Sequence, residues 1–391
     1  MSSISIKYLI ILGILTAFGP ICTDFYLPAL PEITHNLNTS VTMSQLTLTA
    51  SLIGLGIGQL FFGPWSDRIG RKTPLLIALS LFILSSVICM LVNNIEQLIA
   101  ARFVQGFAGA GGAVLALAMA KDLYSGLELA RFFALMFVIT ETAPIIAPIL
   151  GGIQLNWTHW QGLFASLAIL GMIILIICAI FLKESHSDNA KTESLFLAFK
   201  TIIKNKFFIL FCLIQSFAMG GLFAYIGASS YVFQNIYDFS PQQYSLLFAC
   251  NGLGLVISAL ITSKLLKFYQ TPRLLGWGLY LAVIASLILV ILSLIHAPMY
   301  MILISLFITL AVVTLICTIT MTLAMESQVN FSGTASALLG FCMFSFGGFT
   351  APLTTLLETS LFSMSVVIFG CYLLGLICYW LFSKKSKIEI L

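Results

Sequence analysis

The sequence predicts an all-α integral membrane protein of twelve transmembrane helices in two six-helix halves, with both termini on the same side. Three observations predict it. Of 391 residues, 60% are hydrophobic and only 8% are charged, at a mean hydropathy of +1.08, whereas a soluble domain is roughly 25% charged. The apolar residues gather into twelve runs, each long enough to cross a hydrocarbon layer about 30 Å thick. On that arrangement, 17 of the 18 basic side chains fall on one side. The composition excludes a soluble globular protein, a disordered chain and a nucleic-acid binder. A net charge of +4 is too small to call for an anionic partner.

The first run, residues 8–30, follows Lys7 and has no small-residue cleavage site before Pro20, so it reads as a retained span and not a signal peptide. Runs at 42–64 and 73–93 flank the polar string Gly63 to Thr73. The next two, 97–119 and 131–153, are separated by Lys121 and Arg131, and the sixth, 160–182, stops at Lys183. The longest polar stretch follows, Lys183 to Lys206, with Glu184, Asp188, Lys191, Glu193, Lys200 and Lys204 inside it. Six further runs complete the chain: 207–233, 242–266, 273–295, 299–323, 333–357 and 361–383. The expected organisation is therefore an N-terminal half 1–182, a linker 183–206 and a C-terminal half 207–391, a duplicated architecture.

Lys7, the Arg68–Arg71–Lys72 cluster, Lys121 and Arg131, the linker, Lys264, Lys267 and Arg273, and the C-terminal lysines all share one side. By the positive-inside rule that side is cytoplasmic. The exception is Arg102, inside the fourth run.

Charges within spans are the informative residues, because each costs at least ~2.5 kcal/mol at the bilayer centre and ordinarily faces a partner or a cavity. Asp24, Arg102 and Glu141 are the three cases, with Glu358 at the outer end of the eleventh run. At 1.5 Å per residue, Asp24 and Arg102 both fall in the outer half of the layer, so an Asp24–Arg102 ion pair is expected. Such a pair reads either as a static lock between two helices or as a proton- or substrate-linked switch. Glu141 stands near the midplane with no basic residue at its depth, so it is expected neutral at rest. It suits a protonation switch or a counter-ion for a cationic substrate; the plain alternative is a neutral carboxyl bonded to a neighbouring helix.

Arg102, Gln105, Gly106, Gly109 and Ala113 form one small, polar stripe along the fourth run, expected to border an aqueous path. Gly54, Gly56 and Gly58 read as packing glycines. In the second half, Tyr225, Tyr231, Asn251, Phe341 and Phe344, joined by Tyr26 and Gln105 from the first, are candidates to line a substrate cavity of aromatic and amide groups. Such walls favour bulky amphipathic molecules over sugars. The nine cysteines contain no C-x-x-C pair and read as small packing residues. No metal-ligand spacing and no nucleophile–base set is visible, so neither a metal, a cofactor nor an enzymatic activity is expected.

The most specific string is Gly63-Pro-Trp-Ser-Asp-Arg-Ile-Gly-Arg-Lys-Thr73, in which Gly63, Asp67, Arg68, Gly70, Arg71 and Lys72 resemble the major facilitator superfamily signature between helices 2 and 3. Arg102-Phe-Val-Gln-Gly-Phe-Ala-Gly-Ala is similar to that family's helix 4 motif, associated with proton coupling. Pro144, Pro148, Gly151 and Gly152 resemble the helix 5 motif of its drug/proton antiporters, whose kinks govern occlusion. Thr23-Asp-Phe-Tyr-Leu-Pro-Ala-Leu-Pro31 is similar to helix 1 of the bicyclomycin/chloramphenicol-resistance exporters, and Lys183-Glu-Ser185 to the acidic motif closing helix 6. Two features depart from the pattern: Ser263 to Arg273, where the signature would repeat, lacks its Asp and Gly residues, and Glu141 is not required by the helix 5 motif.

The resemblance implies a proton-coupled multidrug efflux antiporter of a bacterial inner membrane. It would export a small drug-like compound by alternating access with protons as the coupling ion; Arg102 falls in the family's proton-coupling motif, and the charges within spans add Asp24 and Glu141 as coupling candidates. Its partners would be the small-molecule substrate and membrane lipid, and nothing demands more than a monomer. An endogenous product such as a siderophore is the alternative cargo, and proton-coupled uptake the less favoured direction.

Overall fold

The computed structural model describes residues 5–185, 195–328, 332–355 and 359–386; Glu358 and the linker residues 186–194 lie outside it. Every described element is helical. Twelve helices are long and apolar enough to span a membrane: α1 (Ile6–Asn36), α2 (Val41–Ile69), α3 (Lys72–Leu91), α4 (Ile95–Leu123), α5 (Gly126–Gln154), α6 (Trp160–Phe181), α7 (Lys206–Ile236), α8 (Pro241–Leu265), α9 (Thr271–Leu294), α10 (Met299–Glu326), α11 (Ser332–Thr350) and α12 (Leu361–Ser386). Helices dominate because hydrocarbon offers no partner for backbone N–H and C=O groups, so each segment must satisfy its own.

The chain divides into two compact units, one holding residues up to 194 with Ser240–Leu246, the other Leu195–Phe239 with Leu247–Leu391. In unit 1, α4 packs on α1, α2 and α3, while α3 also packs on α6 and α1 on α5. In unit 2, the corresponding pairs recur: α10 packs on α7 and α9, α9 on α12, and α7 on α11. The α2–α4 pairing has no such counterpart among the principal contacts of unit 2.

That pairing is the most extensive in unit 1, and glycine makes it possible. A Cβ on Gly54 or Gly58 would meet the carbonyl oxygens of Phe103 and Phe107, and one on Gly106 would meet the carbonyl of Ser51. Lipid tails supply no hydrophobic drive for helix association, so close backbone approach and its dispersion contacts supply it.

Several boundaries differ from those the apolar runs suggest. The helix of α1 stops at Asp24, turns through Phe25 and Tyr26 into a 3₁₀ turn at Leu27–Ala29, and resumes at Leu30–Asn36. Pro28 and Pro31, which lack an N–H, fall at the two restarts. α2 continues to Ile69 through Pro64, and α4 to Leu123. The signature string is thus mostly helix, with Gly70 and Arg71 alone between α2 and α3. Polar side chains beyond the apolar layer do not end a helix; Gly70 does, at φ +92°, a conformation only glycine adopts freely. The expected linker contains a further helix, Leu195–Lys204.

The α2–α4 seam gives a direct test. Gly106→Val should lower the stability of detergent-solubilised protein by about 1–3 kcal/mol through overpacking. Gly370→Ala, whose Cβ would meet nothing within 4 Å, should leave the thermal midpoint unchanged or slightly raised.

Candidate functional site

Three groups of residues in unit 1 and one in unit 2 contain the sequence candidates. The first surrounds Arg102 of α4. Asn94 starts this helix by accepting from Gln97 N at 2.9 Å, and two turns later the guanidinium is completely buried. Its Nη1 donates to Cys22 O at 3.1 Å, to Cys22 Sγ at 3.2 Å and to Gln105 Oε1. Gln105 Nε2 in turn donates to Ser86 Oγ at 2.7 Å. The guanidinium carbon sits 4.2 Å from the centre of the Tyr26 ring and 5.8 Å from that of Phe164, and the Tyr26 and Thr47 hydroxyls are 3.1 Å apart.

The expected Asp24–Arg102 ion pair is not formed. Asp24 is buried and accepts from Thr23 Oγ1 at 3.0 Å, while the described ion pairs are Arg71–Asp67, Arg71–Asp122 and His159–Glu32. The reason is azimuth, not depth. Cys22 and Tyr26 are four residues apart and face α4 together; Asp24, midway between them, points about 200° round the helix from Cys22. Burial also revises Gln105 and Tyr26. Both are at 0% exposure, so in this arrangement they hold Arg102 and do not border an aqueous path or a cavity.

The second group is α5. Glu141 is exposed, and among the described residues it makes no hydrogen bond or ion pair. The helix runs unbroken through Pro144 and Pro148. Gly151 is close to the carbonyl of Phe25, in the interruption of α1, and Gly152 meets Pro241 and Ser245 of the 240–246 segment belonging to unit 1.

The third group gathers at the α2–α3 turn. Arg71 pairs with Asp67 and donates through Nε to Asp122 Oδ2 at 3.0 Å and through Nη1 to Ser66 Oγ at 2.7 Å. Burial alone would lower the pKa of this guanidinium; its hydrogen bonds to Asp122 and Asp67, and their charges, outweigh that and hold it above the ordinary arginine value. The Glu184 carboxylate caps α3, accepting from Arg71 N at 2.7 Å and Lys72 N at 3.1 Å, which are N–H groups free at the helix start. Gly70 leaves room for that carboxylate. Lys72 Nζ reaches back to Ala179 O, near the end of α6, at 2.9 Å, and Ser185 Oγ donates to Asp122 at 3.0 Å. Gly63 is in ordinary contact with Val114, and Arg68 is exposed.

Cys22, Ser66 and Asp122 carry much of this geometry and were not singled out by the sequence. Asp122 left a trace, an acid beside Lys121 at the end of α4; Cys22 left none, because its carbonyl does as much as its sulfur.

In unit 2, Asn251 Nδ2 donates to the Tyr225 hydroxyl at 3.0 Å, and Tyr225 stacks on Phe248 at 5.6 Å. Tyr225, Tyr231 and Asn251 are buried, whereas Phe341 and Phe344 stay half-buried, Phe344 lying 6.0 Å from Phe223.

The profile of the Major Facilitator Superfamily matches residues 12–352. The chain belongs to that superfamily. It is accordingly a multi-pass membrane transporter and not an enzyme. An uncharacterized MFS-type transporter, YdgK of Bacillus subtilis, is 38% identical over 96% of this chain and 95% of its own length. A bicyclomycin resistance protein homolog of Haemophilus influenzae is 26% identical over 97% and 96% of the two chains. Multidrug resistance protein D of Escherichia coli is 27% identical over 62% of each. Among solved structures, a bacterial homologue of the human lysosomal transporter Spinster, inward-facing and unoccupied, superposes with a TM-score of 0.76 over 98% of both chains at 15% identity.

Two outcomes are expected in unit 1. Tyr26→Phe should leave the thermal midpoint nearly unchanged, while Tyr26→Ala should destabilise the fold by about 2 kcal/mol or more, because it strips a desolvated cation–π contact. Glu184→Ala should cost about 1 kcal/mol, the usual scale for losing a helix cap. Unfolding of the detergent-solubilised protein followed by tryptophan fluorescence checks both.

Proposed function

We propose that this transporter exports small amphipathic, drug-like compounds across a bacterial cytoplasmic membrane in exchange for protons. Both termini and the linker then lie on the cytoplasmic side, an orientation that the placement of 17 of 18 basic residues supports. The observation that carries the proposal is Glu141, an exposed carboxylate with no hydrogen bond or ion pair among the described residues, partway along an apolar span. A charge left there is costly, so Glu141 holds a proton until a ligand, best a cationic one, takes its place.

Competition between proton and compound for one carboxylate couples the two flows without a long relay. Asp24, buried one helix away, serves as a second proton carrier, and Arg102 acts as a positioning residue that holds the interrupted α1 to α4. Transport proceeds by alternating access, and α5 with its paired prolines and Gly151–Gly152 is the element that yields. Relatives named for bicyclomycin and multidrug resistance support export of foreign compounds. The transporter works as a monomer with protons as its coupling ion and no other cofactor.

The test is substrate-induced proton release from purified protein, paired with proton-driven transport in vesicles, across cationic, neutral and anionic compounds. Glu141→Gln should abolish both signals, and Asp24→Asn should reduce proton-driven transport at least tenfold. Undiminished proton-driven efflux in both single variants would overturn the coupling scheme.

A further inference from the structure

The linker holds a helix that no membrane span accounts for. Leu195–Lys204 has ten residues, which at 1.5 Å each reach about 15 Å, half of what a hydrocarbon layer needs. It belongs to unit 2 and contacts α7 and α11. Asn205 alone separates it from α7, in extended conformation at ψ 104°. The Asn205 side chain ties this corner down. Its Oδ1 accepts from Phe207 N at 3.0 Å and Phe208 N at 3.2 Å, and its Nδ2 donates to Ser327 O, just past α10, at 3.1 Å. The helix is thereby held at the edge of the apolar layer, where the span of α7 begins.

The two edges of its apolar face meet different surroundings. At about 100° per residue, Ile202, Phe199 and Ile203 share one arc, and Lys200 and Lys204 begin about 60° beyond Ile203. Ile202, at one edge of the arc, is fully buried against unit 2, while Ile203, at the other, is 57% exposed. Phe207, in the first turn of α7, is 50% exposed. Lys200, Lys204 and Lys206 are exposed, and among the described residues none of them forms an ion pair. The chain has no Asp or Glu from Leu195 to Tyr237. An exposed apolar edge flanked by lysines, on a helix outside the spans, suits the membrane interface: lysine stems run along the apolar edge and their ammonium groups reach the headgroups.

We infer that the Leu195–Lys204 helix is a binding surface for anionic phospholipid, with Lys200, Lys204 and Lys206 on the headgroup phosphates and Ile203 and Phe207 among the first methylenes of the acyl chains. Lysines alone would fit any phosphate, and an apolar edge alone any lipid tail. The two together, at the depth that Asn205 sets, fit a lipid whose headgroup carries net negative charge. A neutral, zwitterionic lipid satisfies the apolar edge but gives the three ammonium groups no net charge to meet. Each lysine near an anionic surface is worth about a fivefold preference for it. The surface needs α7 to span the membrane, and it rests on neither proton coupling nor the direction of transport.

The test is photocrosslinking of the full-length protein in vesicles of equal parts phosphatidylcholine and phosphatidylglycerol, with p-benzoylphenylalanine in place of the exposed Ile203 and adducts identified by mass spectrometry. Position 203 should capture lipid, phosphatidylglycerol over phosphatidylcholine by about tenfold or more. The same probe at Thr201, about 160° round the helix, should capture none. Lys200→Gln/Lys204→Gln should reduce the phosphatidylglycerol excess at least about fivefold. Lys264→Gln/Lys267→Gln, which removes two exposed charges elsewhere in unit 2, should leave it within about twofold, since charges beyond a Debye length are screened. Capture of protein only, equal capture of the two lipids, or an equal loss in both lysine variants overturns the surface. Salt gives the same answer without a lysine substitution: at 1 M, where the Debye length is about 3 Å, the excess should shrink several-fold, and an excess indifferent to salt refutes the charge contact. The readout is captured lipid, so it is independent of Glu141 and of transport.

Discussion

Arg102 is a permanent charge buried in a span that forms no ion pair with a carboxylate among the described residues, and much of unit 1 is arranged around that condition. Its surroundings come from four helices: Cys22 and Tyr26 from α1, Gln105 from α4 itself, Ser86 behind it from α3, and Phe164 from α6. The magnitudes explain why no acid is required. A central arginine costs about 2.5–3.5 kcal/mol on insertion scales. A desolvated cation–π contact returns about 2 kcal/mol, and each hydrogen bond to a charged group about 1.5–3. The interruption of α1 belongs to the same solution, because it is the turn after Asp24 that brings the Tyr26 ring over the guanidinium. Asp24 is thereby released from a structural task.

A second arginine organises the end of the same unit by different means. Arg71 lies at a helix boundary, where two aspartates and a serine take its side chain and Glu184 takes its backbone N–H. One chain segment thus joins the end of α2, the start of α3, the end of α4 and the residues following α6. The signature residues work because α2 and α4 outlast the apolar layer. Their polar ends stay helical, which aims Asp67 and Asp122 at the same guanidinium. Close glycine packing of α2 on α4 fixes the distance between those ends.

Span number and helical class were legible in the sequence, because hydrocarbon permits few alternatives and apolar runs of this length have one reading. Arg102 and Asp24 do fall within helices long and apolar enough to span a membrane. Azimuth was not legible. Rise per residue gives height along a helix, but the ion pair required knowing which face of α1 meets α4, and that depends on packing against Gly112 and Phe82 as much as on the residue itself. Tyr26 and Gln105 were recognised as important for the wrong reason, since polarity in a span signals either a cavity or a buried charge and the sequence does not separate them. Helix ends were misjudged at Pro64 and Leu123 because a hydropathy boundary marks the edge of the apolar layer and not the end of hydrogen bonding.

The described charges in the middle of spans, Asp24, Arg102 and Glu141, all belong to unit 1, and they have separated into distinct states. Arg102 is enclosed, its Nη1 held by neutral groups while its buried Nε and Nη2 make no hydrogen bond among the described residues. Asp24 is enclosed with one hydroxyl donor, Thr23, for its carboxylate. Glu141, on α5, is exposed and makes no hydrogen bond or ion pair among the described residues. α5 meets α1 where Gly151 lies against the carbonyl of Phe25, one residue beyond Asp24. Among the described residues, unit 2 holds no comparable charge in the middle of a span and instead presents paired aromatic and amide groups, Tyr225 with Asn251 and Phe223 with Phe344.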